Sequence, residues 1–399
     1  MNWPNYIRNI MAYIITQEDL NTYCREAAGQ KTPFPDSEFL KEKTEFPQPF
    51  LKKISTENQD AVAIDPITTD LDWTPLYDLL ALESLTKVFH AGRQDIEIIY
   101  NLTGQVPKPV FDTQIAAMVC GYGESVAYLT LAADICGVKI DKTSQFMDWS
   151  HRPLTHSQIQ YALNDVVYLR DIYAKLVELM RADGREEWIR EEMEALIDEK
   201  NYLIDPENKW QRLKLKVQKP NNLQAAKLLC AWREREAQKR DVPKTRVLRD
   251  EIIVQIATHL PKGEKDLSKI RGFPLQSKYL VRTVIDLSEE ARKTPPQECP
   301  KTEPRTSLDN DDKATFEMLK MLLRIQSSEY NVAPRLIAST EDLEILSRPE
   351  GTENKVDVPA LAGWRNNIFG RYVKALKEGS LGLYLQDGAL AKKEITETG

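Results

Sequence analysis

Tyr161 and Asp165 stand four residues apart in a stretch, Gln158-Ile159-Gln160-Tyr161-Ala162-Leu163-Asn164-Asp165, that reads as helix. At that spacing both side chains share one helical face, about one turn apart. Thr155 and Gln158 just before it have the pattern of a capping box, which marks the helix start. A carboxylate with a phenol one turn away suits metal-assisted attack of water on a phosphodiester: one group holds the cation, the other positions the water. A lone Tyr-x-x-x-Asp is commonly a surface coincidence, so the reading depends on further acidic groups.

Two upstream motifs supply them. Asp36-Ser37-Glu38-Phe39, if extended, sets Asp36 and Glu38 on the same side of a strand, where they can share divalent cations. With 61 acidic residues in 399, about nine acidic-x-acidic triplets arise by chance, so this motif gains weight only in company. His90-Ala91-Gly92-Arg93-Gln94-Asp95 puts Asp95 at a strand exit or helix start, where functional side chains of α/β folds gather. Its plainer role there is to cap the helix from Ile96.

The elements that must position these groups alternate. Ala61 to Asp65 and Lys87 to His90 read as buried strands; Ile96 to Leu102, Gln114 to Val119 and Gln158 to Met180 read as helices. This predicts an α/β domain with a mixed sheet covered by helices. A charged amphipathic helix from Glu186 to Glu199 leaves it. From residue 209 to about 290 the pattern is all-helical, with Leu223, Ala226, Leu229, Cys230 and Ala237 at helical spacing. Lys293 to Arg305, with Pro295, Pro296, Pro300 and Pro304 among charges, reads as a linker. A second helical segment runs from about Leu308 to Ala391, with a helix start at Ser339-Thr340-Glu341-Asp342-Leu343 and a turn into the next helix at Gly363-Trp364-Arg365.

The strands around Asp36 break the expected pattern. Pro33 and Pro35 lead into it, and proline cannot donate to a sheet ladder. In Pro49-Phe50-Leu51-Lys52-Lys53-Ile54 two lysines fall where burial is expected, and burying an unpaired lysine is costly. The strand that aims Asp36 and Glu38 is therefore expected to be shifted or frayed.

Net charge is −7, yet residues 201–300 hold 21 basic and 13 acidic residues, a local +8 that leaves −15 elsewhere. Such asymmetry predicts a basic binding module joined to an acidic catalytic one, the blander reading being a solvated helical surface. No apolar run approaches the ~20 residues that span a bilayer, and the N-terminus lacks a signal-peptide layout. Five cysteines without Cys-x-x-Cys predict reduced thiols in a cytoplasmic protein, with neither a disulfide framework nor a zinc site. Met11 reads as the natural start.

Taken together, the order Asp36, Glu38, Asp95, Asp165, with Tyr161 four before the last, resembles the DEDDy group of 3′-5′ exonucleases and, within it, the ribonuclease D family of proteobacteria. Phe89 to Asp95, Phe111-Asp112-Thr113-Gln114, Asp141-Lys142 through Asp148-Trp149-Ser150, Arg152-Pro153-Leu154, Val332 to Ser339 and Gly363-Trp364-Arg365 look like that family too, so the likeness extends from Met11 to about residue 390. It implies a ribonuclease-H-like exonuclease domain (11–200), an HRDC-type helical domain (209–292), the proline-rich linker (293–305) and a second, divergent HRDC-like all-helical domain (306–391). It further implies two Mg²⁺ or Mn²⁺ ions on Asp36, Glu38, Asp95 and Asp165, with Tyr161 orienting the attacking water and His90 and Asp112 supporting from behind. The implied reaction trims 3′ ends of tRNA precursors and other structured RNAs, releasing nucleoside 5′-monophosphates from single-stranded tails, by a monomer that needs no membrane. Lys214, Lys216, Arg233, Lys239, Arg240 and Arg246 are candidate phosphate contacts; Trp232 could stack on a base or sit in the core. Two alternatives stay open at this point: a DNA exonuclease of the same group, and an RNA-binding protein with a weakened site.

Overall fold

The computed structural model describes residues 12–30, 32–40, 48–56, 61–67, 70–140, 147–203, 205–215, 219–301, 308–349 and 358–395. Met11, Lys216, the start of the Asp141 motif and the side chain of Glu38 lie outside the described part. The chain forms two compact units, one of residues 1–38, 50–201 and 306–399, the other of 39–49 and 202–305.

In the first unit, β1 (Ala12–Ile14) enters α1 (Gln17–Ala28), capped by the Thr16 hydroxyl, which accepts the Asp19 N–H at 3.2 Å. β2 (Phe34–Leu40), β3 (Gln48–Ser55) and β4 (Val62–Ile64) complete a four-stranded sheet in the order β1-β4-β3-β2. β4 runs parallel to β1, with Ile14 opposite Ile64, and antiparallel to β3, with Lys53 opposite Ala63. α2 (Thr74–Ala81), β5 (Lys87–Phe89), α3 (Arg93–Thr103), β6 (Val110–Asp112) and α4 (Thr113–Val119) follow; β5 and β6 pair in parallel as a separate two-stranded sheet. The prolines account for the separation. The Val88 N–H bonds the Pro33 carbonyl at 3.0 Å, but Pro33 and Pro35 have no N–H with which to continue a ladder toward β5. Pro35 thus lies on an edge strand of its sheet, where proline is tolerated.

α5 (Tyr128–Cys136), α6 (His156–Val167), α7 (Leu169–Ala182) and α8 (Glu186–Leu196) complete the succession. The helix predicted from Gln158 to Met180 is thus two helices, divided at Tyr168. The division lets Ala162, Leu163 and Val166 of α6 join Leu51, Ala61 and Ala63 of the sheet in one core, while Leu169 and Tyr173 of α7 turn to Phe34 and Val88.

The second unit is helical: α9 (Pro220–Arg240), α10 (Lys244–Val247), α11 (Asp250–His259), α12 (Glu264–Leu267) and α13 (Lys278–Lys293). Leu223, Ala226, Leu229 and Cys230 of α9 meet Ile253 and Ile256 of α11 and Val284 of α13 around Trp210. Trp232 packs against this core as well, the second of its two expected roles.

The last segment belongs to the first unit. It contains α14 (Asn310–Tyr330), α15 (Pro334–Ile337), α16 (Thr340–Leu346), α17 (Gly363–Arg365) and α18 (Arg371–Lys377). Ser339 and Asp342 form a capping box at the start of α16. The expectation of an all-helical segment fails at its end, where β7 (Leu381–Gln386) and β8 (Ala389–Glu394) form an antiparallel hairpin. Its turn is Asp387-Gly388, with φ of 52° and 79°, the Asp-Gly pair that a two-residue hairpin turn favours. The segment is docked on α8 and α4 of the same unit: the Trp364 ring stacks on Trp188 with centroids 4.4 Å apart, and the Ala333 N–H bonds the Met118 carbonyl at 3.0 Å.

Candidate active site

β2 carries Asp36 two residues after the buried Phe34, and the Glu38 backbone lies two further along the same strand. β3 lies next to β2 and carries Lys53; α6 packs on this sheet and carries Asp165. The three side chains meet. Lys53 Nζ forms an ion pair with Asp36 and a second with Asp165 Oδ2 at 3.0 Å. The lysine side chain is 0% exposed, the two carboxylates 30% and 20%. An ammonium without access to water must have its charge answered locally, and these carboxylates answer it. The two lysines that raised the expectation of a shifted or frayed strand are both accommodated by burial: Lys53 in ion pairs, Lys52 against a phenol and two aromatic rings.

Lys52 turns toward α2. Its Nζ donates to the Tyr77 hydroxyl at 2.7 Å and lies 4.3 Å from the centre of the Tyr77 ring and 5.0 Å from that of Trp73. Burial pushes its pKa down to about 7, opposed by the negative field of Asp95. Asp95 is buried in the first turn of α3, whose cap is Gly92, so the plain capping role does not apply. Asp36, Asp95, Lys52 and Lys53 line one cavity with Phe89 and Ile54.

Asp112 and His90 brace the turn that delivers Asp95. Asp112 accepts the Ala91 N–H at 3.1 Å, the Gly92 N–H at 2.8 Å and, as the cap of α4, the Gln114 N–H at 2.8 Å. Gly92 is required, because a Cβ would lie 2.3 Å from the Phe89 side chain. His90 Nε2 faces the Val126 carbonyl at 3.1 Å and Nδ1 the Thr113 hydroxyl at 3.0 Å; burial pushes its pKa down, which favours the neutral ring. Since a carbonyl only accepts, Nε2 carries the proton.

Tyr161 sits beside Trp149, ring centres 6.1 Å apart. The capping box at Thr155 and Gln158 is formed, fixing the first turn of α6. One anchor escaped the sequence reading. Arg152 grips the fully buried Asp65 with two bonds, Nε to Oδ2 at 2.7 Å and Nη2 to Oδ1 at 2.9 Å, which ties the lead-in of α6 to the end of β4. Both residues lie in stretches already singled out, but no spacing rule pairs them.

Of the candidate phosphate contacts, Lys214, Lys239, Arg240 and Arg246 are exposed. Arg233 is a correction: it is 3% exposed and spent on Glu234 at 3.0 Å, Asp250 at 2.5 Å and the Leu248 carbonyl at 3.1 Å. Its position on the inward face of α9 commits its charge to the core. The five cysteines are free thiols.

Residues 11–181 match the family described as 3′-5′ exonuclease, and residues 222–277 the HRDC domain. Ribonuclease D of Nitrobacter hamburgensis is 39% identical over 387 residues, covering 96% of this chain and 100% of that one. The chain belongs to the ribonuclease D family. Ribonuclease D of Sphingobium indicum is 40% identical over 384 residues, covering 94% of this chain and 97% of its own. The crystal structure of Escherichia coli RNase D, described as an exoribonuclease involved in structured RNA processing, superposes with a TM-score of 0.81 at 26% identity, over 92% of this chain and 98% of that one. As a ribonuclease D, the chain is a 3′-5′ exoribonuclease with an RNase-H-like exonuclease domain, an HRDC domain and a helical C-terminal region, and it binds nucleic acid. No helix among the described residues is long and apolar enough to cross a membrane.

Proposed function

We propose that this ribonuclease D trims single-stranded 3′ tails of tRNA precursors and other structured RNAs with two divalent cations, Mg²⁺ or Mn²⁺, held by Asp36, Glu38, Asp95 and Asp165. The observation that carries the reading is the convergence of Asp36 and Asp165 on one positive charge, that of Lys53. Carboxylate oxygens are the donors these hard cations take, so the residues fit. Among the described residues no three acidic, histidine or cysteine side chains form a metal cluster on their own; Glu38, on the same strand as Asp36, is the natural addition. When bound, the cations supply Lewis-acid activation of water and stabilise the leaving 3′ oxygen.

The chain's own groups do the positioning. Tyr161 serves as a hydrogen-bonding orienter of the water rather than as a base, since a phenol ordinarily keeps its proton at neutral pH. Water oxygen joins the terminal phosphorus, the bond to the 3′ oxygen of the preceding nucleotide breaks, and the last residue leaves as a nucleoside 5′-monophosphate. Asp112 and His90 keep the Asp95 turn in place, and Arg152 with Asp65 keeps α6 in place. The module at 209–292, through Lys214, Lys239, Arg240 and Arg246, contributes sequence-independent affinity for the RNA backbone. Residues 306–391 serve as a divergent second HRDC-like module, and the chain acts as a monomer.

The test is degradation of a 5′-labelled RNA with a 3′ tail, in Mg²⁺, Mn²⁺ and EDTA. A metal-dependent ladder that shortens from the 3′ end and vanishes in Asp165→Ala is the expected result. Persistence of the ladder in Asp165→Ala removes Asp165 from the site, and an unchanged kcat in Tyr161→Phe removes Tyr161.

A further inference from the structure

Lys53 is a cationic residue at the centre of a candidate site otherwise expected to be acidic. It lies on a core strand, its side chain has no contact with solvent, and Asp36 and Asp165, with which it forms ion pairs, come from different elements, β2 and α6. A buried ammonium is expensive unless its charge is matched, and two half-buried carboxylates that face each other repel. Each side of this arrangement therefore relieves the other. The ammonium stands where the facing oxygens of Asp36 and Asp165 direct their negative charge, which is the place a divalent cation shared by these two residues would take. Asp95 lines the same cavity.

We propose that Lys53 is a resident counter-cation that competes with one divalent cation for the position between Asp36 and Asp165. The inference rests on the metal reading given above and deepens it. Ammonium and metal exclude each other there: Nζ must leave both carboxylates before a cation can bridge them. Lys53 is thus a residue that sets metal affinity at the position between Asp36 and Asp165. A charged occupant also keeps Asp36 and Asp165 together in the metal-free protein, so the site does not spring apart by like-charge repulsion.

The experiment uses the full-length protein without RNA. Mn²⁺ binding is followed by electron paramagnetic resonance of free Mn²⁺ and by calorimetry, for the wild type, Lys53→Gln and Lys53→Arg at one pH. Lys53→Gln keeps polar reach but drops the charge, and is expected to bind its tightest Mn²⁺ at least about tenfold more strongly than the wild type, while Lys53→Arg stays near the wild type. Equal affinities in wild type and Lys53→Gln overturn the proposal while leaving the metal reading intact. Absence of Mn²⁺ binding in all three proteins overturns the metal reading itself, and the proposal with it. A readout that needs no variant covers the case in which Lys53→Gln does not fold: acetylation of Lys53 by acetic anhydride, read by mass spectrometry. Lys53 is expected to be protected in metal-free wild type and to become reactive at saturating Mn²⁺; protection that persists at saturation overturns the proposal.

Discussion

Arg152 holds Asp65 by both carboxylate oxygens, and Tyr13 donates its hydroxyl to the same group. Asp65 directly follows β4 and is fully buried, whereas Arg152 precedes α6, so this contact fixes the distance from sheet to helix. Arg152→Ala leaves a buried carboxylate without its cation, and the expected cost is roughly 3 kcal/mol of stability. Urea unfolding measures it. Arg152→Lys keeps the charge but loses the paired geometry and should recover only part of the loss. A cost within error of zero for the alanine variant would show that water or another donor replaces the guanidinium.

Arg365 performs a similar service for the C-terminal segment. It pairs with Glu191 and Glu192 of α8 and donates to the Leu336 carbonyl at 2.8 Å. The two glutamates are partly exposed, so the ion pairs themselves contribute little; the buried carbonyl bond is what Arg365→Met strands. About 1–3 kcal/mol should be lost. Hydrogen exchange should quicken in α8 and α15 together, and quickening confined to one of them would argue against coupled docking.

On the helical unit, charge near the surface and charge in the core separate cleanly. Arg240→Gln and Lys239→Gln should each weaken RNA binding and shallow its salt dependence by close to one phosphate contact, about 0.7–0.9 in the log–log slope. Arg233→Gln should leave that slope alone and instead unfold the unit more easily, because Asp250 and the buried Glu234 lose the guanidinium between them and Glu234 keeps only the longer pair with Lys244. A salt slope lowered by Arg233→Gln at full folding would restore it to the RNA surface.

Stability should rise with pH over part of the alkaline range. Burial brings Lys52 from 10.5 down to about 7 and Lys87 down to about 8. Between pH 7 and 9 the unfolded chain keeps protons that the folded chain has shed, so unfolding becomes harder as pH rises. Above 9 the rise is opposed, because the buried thiols of Cys24, Cys120 and Cys230, ordinarily 9.0, are raised to about 11 and the unfolded chain sheds those protons first. Each lysine contributes up to about 1.4 kcal/mol per pH unit. Urea midpoints at pH 7 and 9 should diverge less in Lys52→Met than in the wild type; identical slopes would refute the assignment to Lys52.

The sequence by itself determined the local pieces and the family. Periodicity and capping residues were enough for the strands at 62–64 and 87–89 and for the start of α6, because those signals act within one turn or one strand. The order of carboxylates with Tyr161 pointed to the exonuclease before any contact was known. The Asp387-Gly388 pair is a hairpin signal within the sequence, and the helical reading of the whole segment missed it. What only the tertiary structure decided are the pairings of charge. Lysines in a core strand looked like a defect because burial can be read from sequence, whereas the partner that makes burial tolerable comes from α6, far along the chain. Arg233 looked like a phosphate contact for the converse reason: composition gives its charge, but only the packing of α9 shows that the charge faces inward. Electrostatic energies depend on distance and on exclusion of water, and both are properties of the folded chain.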